Sequence, residues 1–215
     1  MKSPPIQSRE LVVDDFKWAA CQLLKKDPTE RDAAQVLRPG HLTALTGSLL
    51  HRRKRYASGL ACLHPRMPSR PIVWFSRYWM ISEIAKSLLS FELNIHDEVP
   101  SESERERMAR AISAVKRLNV YFESSHRSIT EVCGHIERLS EEQVPRLVII
   151  DSIEHFRASP EAYRPVEAMS DALELLKDCA KRHNLAVLVT CLPPPSDWSD
   201  AVIKAAREVV AISGQ

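Results

Sequence analysis

Glycine is scarce in this 215-residue chain, with five residues against 14 prolines. Loops that wrap phosphates and tight active-site turns consume glycine, because it alone takes left-handed backbone without strain. The scarcity therefore argues against an intact phosphate-cradling loop. Cysteine is thin as well: Cys21, Cys62, Cys133, Cys179 and Cys191 are odd in number and show no CxxC spacing. That pattern argues against a disulfide framework or a zinc knuckle and for reduced thiols in a cytoplasmic protein. No window approaches 18 uninterrupted apolar residues, so no membrane span is expected. The opening MKSPPIQSRELVVDD lacks the apolar run of a signal peptide. Neither charge sign dominates, since 30 Lys and Arg face 28 Asp and Glu for a net +2. Any basic surface must be local.

What is present is ordinary globular material, 44% hydrophobic and 27% charged. The length suits one domain with an appendage and a core that needs no staples. Pro4-Pro5 marks a loose tail. Leu11, Val12, Phe16, Ala19, Ala20, Leu23 and Leu24 recur at helical spacing and predict a helix over about 9–26. Asp27-Pro28 opens a second short helix, which Arg38-Pro39-Gly40 ends as a turn. Beyond that turn, short apolar β-branched segments predict strands at about 42–46, 71–76, 118–122, 145–150, 185–191 and 208–213. Helical patterns at about 52–63, 81–94, 101–117, 128–142, 165–183 and 198–206 fill the intervals. Such alternation predicts an α/β fold, a mostly parallel sheet flanked by helices on both faces, with a short N-terminal helical extension.

In order and spacing, these segments resemble the RecA-like motor domain of DnaB-type bacterial replicative helicases. Leu37-Arg38-Pro39-Gly40-His41-Leu42 resembles the turn into the first strand of that family. Pro71 to Ser76 with helix 81–94 resembles its second strand and helix, and residues 118–151 resemble the segment leading to Walker B. Helix 165–183 followed by LAVLVTC is similar to the helix and strand after it. The resemblance covers about four-fifths of the chain and implies a RecA-like P-loop NTPase fold over 37–215. Residues 1–36 would then be a tail with linker-like helices.

The catalytic positions implied by the resemblance are altered. A P-loop reads GxxxxGK[ST], in which the lysine reaches the outer phosphates and the hydroxyl holds magnesium. The matching stretch here is Gly47-Ser48-Leu49-Leu50-His51-Arg52-Arg53-Lys54. Only Gly47 fits. Arg52 stands for the second glycine, where a left-handed backbone would cost about 1–2 kcal/mol; Arg53 stands for the lysine and Lys54 for the hydroxyl. Arg77 or Tyr78 occupies the place of the acid that activates water in the family, and Cys191 that of its phosphate-sensing glutamine. Pro193 to Asp197 replace a long DNA-contacting loop. The chain stops near Gln215, where the family carries basic residues that act across a subunit boundary. Asp151 alone survives, at the Walker B aspartate position. Its alternative role is to close a strand end and pair with Arg53 or Lys54.

Three local features remain. His51-Arg52-Arg53-Lys54-Arg55-Tyr56 is the only dense basic run, set at a helix N-terminus that already carries positive partial charge. Such placement calls for an anion, whether phosphate, a nucleic-acid backbone or an acidic surface, although a solvated helix face would also hold it. Arg77-Tyr78-Trp79 lies at the carboxyl end of a strand, where α/β folds place ligand sites, and is a candidate partner surface. Glu154-His155, His135 and His183 match no metal-ligand spacing, and Ser124-Ser125-His126 lacks an elbow motif and an orienting acid. No metal site is expected.

The sequence thus predicts a catalytically inactive helicase-like domain with no cofactor, acting in DNA replication or mobile-element maintenance. The candidate partners are a replicative helicase or other replication protein, DNA, or further copies of the chain. Helix 9–26 would pack on its own core or on a neighbour. Two alternatives stand: an ATPase with a non-standard site for ATP and magnesium built from Arg53, Lys54 and Asp151, or a DNA-binding module using residues 51–56.

Overall fold

The computed structural model describes residues 28, 30–47, 50–64, 70–77, 81–95, 103–156, 165–191 and 208–212. The helices expected at 9–26 and 198–206, the Pro193–Asp197 segment, Tyr78, Trp79 and Gln215 lie outside the described residues. Six strands form one sheet: β1 Leu42–Gly47, β2 Ile72–Ser76, β3 Val120–Glu123, β4 Leu147–Asp151, β5 Ala186–Cys191 and β6 Glu208–Ile212. Their order across the sheet is β3-β2-β4-β5-β1-β6, and every pairing is parallel. The helices between them are α1 Glu30–Val36, α2 Leu50–Leu63, α3 Ile81–Ile95, α4 Glu104–Arg117, α5 Ile129–Glu142 and α6 Pro165–His183.

Alternation along the central strands explains the two-sided architecture. Leu42, Ala44, Val73, Phe75, Val148, Ile150, Val187 and Val189 face α5 and α6 in one core. Their chain neighbours Leu45, Ile72, Trp74, Leu147, Ile149, Ala186 and Leu188 face α1, α2 and α3 in the other. A strand buried on both faces reads as a continuous apolar run, as β4 does from Leu147 to Ile150 before it closes on Asp151. Helix α1 joins the second core through Ala33 and Val36, with Leu37 just beyond. Helices α2 and α3 approach so closely that a Cβ on Gly59 would lie 2.5 Å from Phe91 and 2.6 Å from Pro28.

The helix starts are chemically marked. Ser103 caps α4 and Ser128 caps α5, and in both a Glu three residues on returns a bond to the cap backbone. Helix α4 thus begins at Glu104, three residues beyond the start expected near 101. Gly40 turns the chain into β1 with φ +76°.

Candidate functional site

Parallel α/β sheets gather loops at the carboxyl ends of their strands, and the altered family positions converge there. Gly47 is the last residue of β1, in register with Ile212 of β6. Helix α2 begins at Leu50, so only residues 48 and 49 separate it from β1. Arg52 therefore already lies inside the helix. The strain expected from a side chain at a left-handed position does not arise, because the backbone there is right-handed.

The basic run divides by helical direction. Arg53 and Lys54 are buried, Arg52 is half-buried and Arg55 is exposed, while Tyr56 packs in the core. The run is not a continuous cationic strip, since two of its charges turn inward. Arg53 Nη1 lies 3.4 Å from Glu154 Oε1, with the two side chains 1% and 11% exposed. Lys54 Nζ lies 3.3 Å from Glu83 Oε2 on α3. Hydrogen bonding by Lys54, with Lys86 beside it, holds the Glu83 carboxyl below its ordinary range. The anions that this helix start requires are thus carboxylates of the same chain.

Asp151 ends β4 directly opposite Ser76 of β2. Its Oδ1 accepts from Thr190 Oγ1 at 2.6 Å and from Ser152 Oγ at 3.4 Å. The expected ion pair with Arg53 or Lys54 is not what holds it; the hydroxyl of Thr190 does, while Arg53 contributes at longer range. Burial pushes the Asp151 carboxyl above its ordinary value, partly offset by the Thr190 bond and Arg53. The Asp151–Ser152 peptide is cis. Cys191, expected in place of a phosphate-sensing glutamine, is buried in register with Thr46, and desolvation pushes its thiol up to about 12. Such a thiol stays protonated and inert. Arg77 is exposed and donates from Nη1 to the His155 carbonyl at 2.9 Å, tying the end of β2 to the turn after β4. At the carboxyl ends of the strands, buried Arg53 Nε and Asp151 Oδ2 have no hydrogen-bond partner among the described residues.

The comparisons with solved structures fix the architecture. A structure of the ATPase domain of G40P superposes with TM-score 0.68 at 11% identity, covering 97% of this chain and 83% of the other. The fold is RecA-like. A DnaB-like replicative helicase, solved with a view to its interactions with primase, gives TM-score 0.65 at 14% identity. That match covers 80% of this chain but only 48% of the helicase, so the chain spans about half of it. The RadB recombinase gives TM-score 0.53 at 16% identity, over 83% of this chain and 77% of its own. No protein-family model and no curated protein sequence matches the chain. Among the described residues no helix is long and apolar enough to cross a membrane.

A second group on the same sheet was not legible in the sequence. Glu123 at the end of β3, His126 in the following loop and His135 on α5 bring one ligand atom each to within 4.8 Å of one another. Sequence spacing could not expose it, because three different element types supply the three side chains.

Proposed function

We propose that residues 37–215 form a catalytically inactive helicase-like domain that acts by binding, with residues 1–36 as its appendage. One observation carries the reading: the two side chains at the phosphate-lysine and magnesium-hydroxyl positions, Arg53 and Lys54, are buried and paired with Glu154 and Glu83. A magnesium–nucleotide does not fit these residues. An ammonium stands where a hydroxyl would ligate the cation, and Asp151 Oδ1 is engaged by Thr190. Meanwhile both cores are apolar and buried, as expected of a fold retained for its surface. Exposed Met108 and Ile112, one turn apart on α4, offer apolar contact area there.

The fold suggests replication or mobile-element maintenance as the setting. The fitting partners are a replicative helicase, another replication protein that interacts with such helicases, DNA, or another copy of the chain. The deciding test is calorimetric titration of the full chain with a non-hydrolysable ATP analogue, with and without magnesium. No heat of binding at millimolar nucleotide is expected. Micromolar, magnesium-dependent binding would overturn the reading.

The ATPase alternative draws on the buried unpartnered atoms Arg53 Nε and Asp151 Oδ2, which a ligand would meet after rearrangement. It requires magnesium-dependent ATP turnover that Asp151→Ala abolishes. A flat turnover trace in the unaltered chain removes it.

A further inference from the structure

We propose that Glu123, His126 and His135 form a binding site for a divalent transition-metal ion of the zinc class. The site is separate from the altered nucleotide positions and does not depend on the reading above. Glu123 Oε1 and His126 Nδ1 stand 3.6 Å apart, and the three ligand atoms all fall within 4.8 Å. A four-coordinate ion with bonds of about 2.0–2.2 Å spaces its ligands roughly 3.3–3.5 Å apart. Closing the set therefore asks only for rotation of partly exposed side chains. Two imidazoles and one carboxylate suit zinc, cobalt, nickel or iron rather than magnesium or calcium, which prefer all-oxygen shells.

The surroundings resemble the supporting shell of a metal centre. Ser125 donates to Glu123 Oε1 from its backbone N–H at 2.9 Å and its Oγ at 2.7 Å, which orients the carboxylate. Ser125 Oγ also stands 3.4 Å from His126 Nδ1. Buried Phe75 packs edge-on to both imidazoles, at ring-centre distances of 5.4 Å to His126 and 5.7 Å to His135. The two imidazoles themselves meet at 4.8 Å, nearly perpendicular. This apolar wall fixes ring orientation from beneath.

Three protein ligands leave a fourth position open, as in sites that exchange a water or a small ligand. His126 also lines an open cleft of about 420 Å³, whose rim includes Thr130, Glu131 and Arg138.

The test uses the full-length chain without an affinity tag. One equivalent of cobalt(II) should produce the visible d–d absorption of a low-coordinate nitrogen–oxygen site, and zinc(II) should bleach it. His126→Gln, His135→Gln and Glu123→Gln should each weaken cobalt affinity roughly tenfold or more, while His155→Gln and His183→Gln should not. Far-UV circular dichroism identifies any variant that fails to fold. Paramagnetic shifts of the His126 and His135 imidazole resonances in the unaltered chain give a readout that needs no variant. Absence of the visible band, or a band that survives all three ligand substitutions, would show that the rings form only a structural stack and would overturn the proposal.

Discussion

At the scale of single residues, burial decides what each charge can do. Arg53 and Glu154 are buried enough that their attraction is weakly screened, unlike a surface pair. Arg53→Met is expected to destabilise the chain by about 3 kcal/mol, because it removes the cation facing a largely buried carboxylate. A double-mutant cycle with Glu154→Gln should return a coupling of about 1–3 kcal/mol in urea unfolding. A coupling near zero would mean the two side chains are neighbours without being partners. Asp151 behaves in the opposite sense. Its folded carboxyl titrates above the ordinary value of 3.8, so over that window the native state binds more protons than the unfolded chain. Stability contributed by the group is therefore lost as pH rises through the window. Asp151→Asn, which keeps an acceptor for Thr190, should be more stable than the parent at pH 7–8, with the difference shrinking towards pH 4. Thermal melts at the two ends of that range check the sign.

At the scale of elements, the sequence was most readable where periodicity is strict. The continuous apolar runs in LVIID and LAVLVTC place β4 and β5 within a residue or two of their observed bounds, because both faces of these strands are buried. The stripe of Ala172, Leu173, Leu176, Cys179 and Ala180 marks α6 for the same reason. What periodicity could not give was the direction of the basic run. Which cations turn inward depends on α2 beginning at Leu50, and their counter-charges come from α3 and from the turn after β4. The Glu123, His126 and His135 group was hidden likewise, since a strand end, a loop and a helix carry it. Two element-level predictions follow from the local chemistry. Ser128→Ala removes the side-chain cap of α5 and should cost about 1 kcal/mol of stability. Gly59→Ala overfills the α2–α3 contact and should cost about 1–3 kcal/mol, since Phe91 and Pro28 must both shift. Chemical denaturation measures both.

At the scale of the whole molecule, the nearly balanced charge and the inward turn of Arg53 and Lys54 limit any contact with nucleic acid. With only Arg52 and Arg55 of the run reaching the surface, DNA binding through it should show a log–log salt slope of about −2 rather than about −4. Fluorescence anisotropy across a salt series reads this directly, and a slope near −4 would require the buried pair to swing out. The internal pairing of α2 also bears on how such a protein would be controlled. In a nucleotide-driven motor, a diffusible anion selects between an empty and a loaded state, and hydrolysis resets the choice. Here the counter-anions, Glu154 and Glu83, are covalently part of the chain. On the proposed reading they cannot be released, and the fold would sit in the equivalent of a loaded state whatever the ATP concentration. A partner held on this scaffold would stay held when cellular energy falls, with abundance or competition as its only release.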